Sequence, residues 1–597
     1  MAKTRAEVPV SQTWNLDDIF PSREAWEAEL RAVQSDITSV TQYKGKLGQG
    51  AKNLLGCLNA EEALMKRFMS VAAWASLNLS GDGTDPAKQE AAARVASAQA
   101  SLMAAITFIR SEVLALPDGA VERYAEEEPE LKTLRRPLEI LLADKPHMLS
   151  PETEVVLASL SEIHEAPYLI YQRAKMSDMR FEPVLDGEGK KVDMSLNMYE
   201  AAYEKSADIV LRRNAFASFT KGLDAYKNTF GATWGTEVKK NVVLAKLRRF
   251  PSATHMLLHP QEIPVEVYNN LHDVIQAELA PHMRRYVNLR KRMLGLDKVL
   301  YCDIEAPLDP GYSPETTFED AAGLVTEALS VLGPEYAEVI RAAFKSRWID
   351  WADNAGKSSG AFCSSVPGVH PYVLTTWGGN LRGAFTLAHE LGHAGHGVLS
   401  ERNQRLLNLE TSMFFVEAPS TINELLLADH ILSTTKDARM RRWVLMGLLA
   451  TYYHNFVRHM LEAELQRRIY SLADAGQPIT AAILSKTQGE ILEGFWGGVV
   501  EIDDGARLTW MRQPHYYMGL YPYTYSAGLT CGTAVAQDIR ERGKPAVERW
   551  LSVLKAGGTR KPLDLMKMAD VDLSEPDPIR KAVAYVGSIV DEVERTF

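Results

Sequence analysis

Two histidines one helical turn apart with a glutamate between them constrain this chain more than any other feature. They lie in 384-AFTLAHELGHAGHGVLS-400, where His389-Glu390-Leu391-Gly392-His393 reads H-E-x-x-H and His396 follows. On a helix, residues i and i+4 stand one above the other on one face. Two imidazoles placed so can converge on one Zn²⁺, which accepts histidine nitrogen in a roughly tetrahedral shell. The glutamate between them can then take a proton from water held there. The reading requires a helix. Asn380 is a candidate N-cap after Gly378-Gly379, and Gly395 and Gly397 sit near the far end. Chance and a satisfied buried cluster are the alternatives; the helical setting and a β-like run just upstream favour a metal.

Spacing alone leaves the third ligand open. His396 shares a face with His389 but lies ~10 Å along the axis at 1.5 Å per residue, so it reads as packing or as an outer partner of the ligands. A metzincin site needs a third histidine ten residues after the first, and position 399 is leucine. Downstream, 409-LETSMFFVEAPSTINELLLADHIL-432 is amphipathic and predicts a second helix bearing Glu410, Glu417, Glu424 and Asp429. Glu417 and Glu424 are seven residues apart, hence on one face. Both sit among Phe414, Phe415, Val416, Leu425 and Leu426, where an unpaired carboxylate is costly. Either can be the ligand with the other as its neighbour.

The rest of the chain reads mainly as helix. Its 597 residues imply two to four domains, or one large helical body built in lobes. Segments 23–43 and 87–116 carry apolar residues at three- and four-residue steps and are rich in helix formers. Strand signals are few. A hairpin is predicted at 181–195 around Asp186-Gly187 and Glu188-Gly189, with β-like runs at 299–308 and at 370–377. The expected fold is mainly α with a small β-sheet next to the H-E-x-x-H helix. Residues 1–200 form an N-terminal helical region and 201–597 a catalytic region. At 46% hydrophobic and 24% charged, the composition excludes a disordered or fibrous chain. A net charge of −11 without any Lys/Arg block argues against nucleic acid and anionic membrane as partners. Cys57, Cys302, Cys363 and Cys531 are far apart, which excludes a cysteine-based zinc module and fits a reducing compartment. The N-terminus has no signal-peptide pattern, and the longest apolar run, 443–453, is too short to span a bilayer. A cytoplasmic location is expected.

A second cluster, 515-HYYMGLYPYTY-525, holds five of the 22 tyrosines beside His515. Aromatic packing is the ordinary use of tyrosine. Gly519, Pro522 and the run of hydroxyls point instead to a loop facing a polar cavity, where O–H and N–H donors can meet a developing oxyanion.

In this order, HELGHAGH, FFVEAPSTINE and HYYMGLYPYTY resemble the thimet oligopeptidase/oligoendopeptidase F family of zinc peptidases. The segments 13-TWNLDDIFPS-22 and 371-PYVLTTWGGNLRGAFTLAHELGH-393 look most like its oligoendopeptidase F branch. The resemblance implies two helical lobes around a deep channel, one Zn²⁺ per chain and short peptides as substrates. It implies His389, His393 and Glu417 as ligands, Glu390 as general base, and Glu424 as a neighbour orienting a ligand histidine. It implies His515 and Tyr525 as transition-state donors, with Tyr521 and Tyr523 as further candidates in the same loop. The run Tyr372 to Trp377 resembles the family's substrate-binding edge strand. Endopeptidase action is therefore expected. A dipeptidyl carboxypeptidase of related fold would need a positive group to grip the peptide's free C-terminus. A non-catalytic peptide-binding protein with structural zinc would need a fourth protein ligand.

Overall fold

The computed structural model describes residues 3–597, which fold into helices packed around two hydrophobic cores. The first core runs from Trp26 to Leu138 and is built on α1 (Ala51–Gly81) and α2 (Pro86–Leu114). The turn between them works because the Asp85 side chain accepts the Ala87 N–H and Pro86 pre-sets the first helical φ. By length and composition α2 could cross a membrane. In the fold its stripe of Val95, Leu102, Ile106 and Ile109 is buried against the rest of this core. The second core runs from Tyr171 to Val593 and gathers around α3 (Ile209–Leu247), whose N-cap Asp208 accepts from the Val210 and Leu211 amides.

Among the described residues there are five short strands. β1 (Val184–Leu185) and β2 (Lys191–Val192) pair antiparallel around the Asp186–Gly189 turn, as the Gly spacing predicts. The run 299–308 is not a strand. It contributes one bridge, Leu300 to Glu501, and then turns at Tyr301–Asp303. The cause is Asp303, fully buried, which Arg212 and Arg213 clasp at 2.8 and 2.7 Å while it accepts the Leu300 N–H.

β3 (Ile349–Asp350), β4 (Phe362–Ser364) and β5 (Tyr372–Leu374) form a sheet in the order β3-β5-β4. The strand expected at the edge, Tyr372–Leu374, is therefore the central one, and β3 and β4 are the two edges. The alternation of β5 explains this. Val373 enters the second core, while Tyr372 and Leu374 enter a small cluster with Trp14 and Leu77. A strand buried on both faces belongs inside a sheet.

Behind the sheet runs α4 (Leu381–Asn403), followed by α5 (Glu417–Thr434), α6 (Ala438–Tyr452), α7 (His459–Asp474) and α8 (Tyr523–Arg542). Asn380 is the N-cap of α4 by its extended backbone, without a capping side-chain bond. Gly395 and Gly397 do not end α4; they let Tyr336 and Ser365 pack directly on its backbone. Gly392 matters more. A Cβ there would lie 2.5 Å from the Pro419 carbonyl oxygen and from Ser420 Cα of α5. The absence of a side chain lets α4 and α5 touch backbone to backbone.

In an ordinary helix interior, Gly→Ala stabilises by about 0.5–1 kcal/mol. Here Gly392→Ala should reverse that sign and destabilise by about 1–3 kcal/mol through overpacking. Denaturant unfolding with an unchanged or raised midpoint would show that the helices have room to part.

Candidate active site

α4 presents His389 and His393 on one face, with their rings 5.1 Å apart at 79°. α5 starts at Glu417, eight residues beyond Leu409, where the sequence pattern starts the helix. Phe414 and Phe415, both fully buried, hold the intervening turn, and the Ser412 hydroxyl accepts the Phe414 N–H. That turn places the Glu417 carboxylate in the first turn of a helix, where the dipole favours negative charge. Glu417 Oε2 lies 3.4 Å from His389 Nε2 and 3.5 Å from His393 Nε2. Ser420 Oγ donates to the same oxygen at 2.9 Å. On the far side, a Cβ on Gly528 of α8 would come within 2.9 Å of Glu417 Cβ, so α8 also closes in through a glycine.

These three groups offer donor atoms that all lie within 4.8 Å of one another. Two donors each ~2.0–2.1 Å from a tetrahedral ion stand about 3.3–3.4 Å apart. The observed 3.4 and 3.5 Å spacings match that edge, so the residues fit a zinc-sized cation. Glu424, two turns further along α5, takes a different place. Its Oε1 meets His389 Nδ1 at 2.7 Å, accepting that N–H and leaving the Nε2 lone pair facing Glu417. Packing thus separates the two glutamates that spacing left tied. Burial raises the Glu417 carboxyl, but contact with the two imidazoles outweighs it and holds the group well below the ordinary range.

His396 lies outside this group. It is buried, edge-on to Phe415 at 5.8 Å, and burial followed by the His393 charge pulls it down to about 4. Glu390 is 6% exposed, and burial raises its carboxyl above the ordinary value. Burial and then the Glu390 charge push the Cys363 thiol of β4 well up. Asn423 ties the two helices together: its Nδ2 donates to Ala388 O at 3.1 Å and lies 3.0 Å from the Tyr336 hydroxyl.

The tyrosine cluster divides. Tyr525 lines a cavity of about 820 Å³ together with His389, Glu417 and Glu424. Its hydroxyl has one near neighbour, the Tyr521 hydroxyl at 3.4 Å. His515 stands beside both rings, 4.9 Å from Tyr521 and 6.0 Å from Tyr525. Tyr523 does not face the cavity. It is fully buried and donates to Gln261 Oε1 at 2.6 Å, because its position at the start of α8 turns it towards Tyr268 and Phe414. The segment expected as a loop is a short 3₁₀ turn, Pro514–Tyr517, leading into α8. Sequence reasoning missed His454, which lines the same cavity. It carries no motif, and its partner His459 is at i+5, a spacing that regular helices do not bring together.

A large cavity lined by two imidazoles, two glutamates and a phenol, with a donor cluster sized for one cation in its wall, is suited to hydrolysis. Comparison with known proteins agrees. Residues 202–585 match the model of peptidase family M3, and residues 112–181 match that of oligopeptidase F. Oligopeptidase PepF of Bacillus subtilis (strain 168) is 32% identical over 590 residues, covering 99% of this chain and 88% of that protein. The plasmid-encoded oligoendopeptidase F of Lactococcus lactis subsp. cremoris is 28% identical, covering 100% and 99%. The crystal structure of oligoendopeptidase-F from Enterococcus faecium superposes with a TM-score of 0.74 at 27% identity, covering 96% of this chain and 99% of that one. The chain belongs to peptidase family M3, and it is a peptidase.

Removing the Tyr523 hydroxyl leaves Gln261 short of a buried partner. Tyr523→Phe should therefore cost about 1–3 kcal/mol in unfolding free energy while leaving peptide hydrolysis within about twofold. A large loss of turnover in a stable variant would return Tyr523 to the site. Glu424→Gln should lower zinc affinity about 10–100-fold, read by competition with a chromophoric chelator. Unaltered affinity would make the His389 contact incidental.

Proposed function

We propose that the chain is a zinc-dependent endopeptidase that cleaves internal bonds of short oligopeptides. The observation that carries this reading is the tetrahedral-edge spacing of His389, His393 and Glu417 on a cavity that also holds Tyr525. Three protein donors is the number typical of catalytic rather than structural zinc sites. The relatives named oligopeptidase and oligoendopeptidase support short peptides as substrates and internal cleavage. When bound, zinc supplies a Lewis acid that polarises the scissile carbonyl and lowers the pKa of water towards ~7.

The chain's own residues do the rest. Glu390 takes the proton of the attacking water and returns it to the leaving amine. Its buried setting, which raises the carboxyl, suits a group that must both accept and release a proton. Tyr525 donates to the oxygen that gains charge. Burial pushes its phenol far above the ordinary value, so it is a neutral donor at working pH. His515 and Tyr521 pack beside its ring, away from the cavity lining. The backbone of a peptide pairs with the edge strand β4, which puts the scissile bond beside Glu390. A cavity of about 820 Å³ takes a short stretch of unstructured peptide and not a folded protein. Free cysteines at 57, 302, 363 and 531 support a reducing, cytoplasmic setting.

Glu390→Gln should retain stoichiometric zinc and lose hydrolysis of a quenched fluorescent nonapeptide by at least ~10³-fold, whereas His389→Ala and Glu417→Ala should lose the metal as well. A chelator should abolish activity and added zinc restore it. Cleavage of end-blocked peptides at internal bonds is expected; a requirement for a free C-terminus would point to a carboxypeptidase instead.

A further inference from the structure

Beneath Tyr525 lies a column of polar groups that the proposed mechanism leaves idle. Between α6 and α7 the chain makes a π-helical turn, Tyr453–Arg458. On a regular α-helix, residues at i and i+5 point about 140° apart. A π turn closes i onto i+5 instead, and such turns occur frequently at functional sites. Here it brings His454 Nε2 to 3.1 Å from His459 Nε2. His454 opens onto the cavity, and His459, 3% exposed, lies behind it.

His459 is held from three directions. Its Nδ1 lies 2.8 Å from Glu462 Oε2, and Gln513 Nε2 donates to the same oxygen at 2.5 Å. Burial raises the Glu462 carboxyl, but the facing His459 and the Arg458 charge hold it below the ordinary range, so it is an ionised acceptor. The proton of His459 therefore sits on Nδ1 towards Glu462, and the Nε2 side shares a proton with His454. The third contact is with the mechanism. The His459 ring lies flat on the Tyr525 ring, with centroids 4.3 Å apart and planes 12° from parallel. Tyr521 meets Tyr525 edge-on at 5.3 Å and 86°. Among the described residues, the only hydrogen bond of the Tyr525 hydroxyl is the long one to Tyr521, at 3.4 Å, so the ring's orientation is set by its ring neighbours; His515 and His454 stand farther off, at 6.0 and 6.3 Å, and His459 is the nearest and is bonded to a buried carboxylate.

We propose that His459, anchored by Glu462 and by the π turn, is a positioning residue that aims the Tyr525 hydroxyl at the reacting oxygen. The inference rests on the reading of Tyr525 as a transition-state donor. A displacement of ~1 Å in a catalytic group can cost on the order of 10²-fold in rate, so a stacked ring held by a buried carboxylate has a large effect to exert.

The test is a double-mutant cycle on the zinc-loaded enzyme. His459→Ala should lower kcat by about 10–100-fold, with KM changed by less than about threefold and zinc content intact. His459→Phe, which keeps a flat ring but loses the bond to Glu462, should recover only part of that loss. In the Tyr525→Phe background, His459→Ala should cost no more than about twofold further, because the group it positions is already gone. Glu462→Gln, which preserves shape, should reproduce part of the kcat effect and guards against a His459→Ala chain that does not fold. Wild-type kcat in both His459→Ala and Glu462→Gln, or losses that simply multiply with Tyr525→Phe, would overturn the inference. Full turnover in Tyr525→Phe would instead remove the reading on which it rests.

Discussion

Everything at this site depends on how closely α4 and α5 can approach. An imidazole pair on one helix offers two donors, but the third must come from a separate element and arrive within hydrogen-bonding range of both rings. Gly392 permits that by leaving the α4 backbone bare where Pro419 and Ser420 press on it. Gly528 of α8 leaves room for Glu417 from the other side. The three helices are therefore packed at a distance set by glycines, and the carboxylate reaches the histidines because nothing larger stands between the backbones.

Around that contact the polar groups are arranged in paired depth. Several polar groups at the site are held by bonds or stacking to partners on neighbouring elements. Glu424 stands behind His389, Asn423 joins the α4 backbone to Tyr336, and Glu462 stands behind His459, which supports Tyr525. A buried polar atom without a partner is costly, and a satisfied network is stiff. The same bonds that satisfy these atoms hold the cavity-facing side chains in one orientation. Electrostatic stabilisation of a transition state requires donors already in place before charge develops. Glu390 is the exception, a carboxyl kept in an apolar setting, and this is what a base that must release its proton again requires.

The legible parts of the chain were those carried by local pattern. The H-E-x-x-H helix, the hairpin around Asp186–Gly189 and the mainly α character all follow from spacings of two to four residues. The misread parts share a different origin. Family resemblance places Tyr372–Leu374 at a sheet edge, but which strand is outermost depends on partners far away in the chain that cover both of its faces. Gly395 and Gly397 looked like helix terminators, though their role is to admit Tyr336 and Ser365. Tyr523 and Tyr525 are two residues apart with the same chemistry, yet one donates to Gln261 in the core and the other faces the cavity.

By itself the sequence determined that His389 and His393 would share a helix face with Glu390 beside it, since the helical repeat is a property of the backbone and needs no neighbours. Resemblance to a known family singled out Glu417 among the downstream acids. Tertiary structure alone decided that Glu417 meets both rings while Glu424 supports one of them, that Tyr372–Leu374 lies inside the sheet, and that His454 and His459 meet across a π turn. Those outcomes depend on distances between elements far apart in the chain. Such distances are set by side-chain volume and close packing, which no periodicity along a single segment encodes.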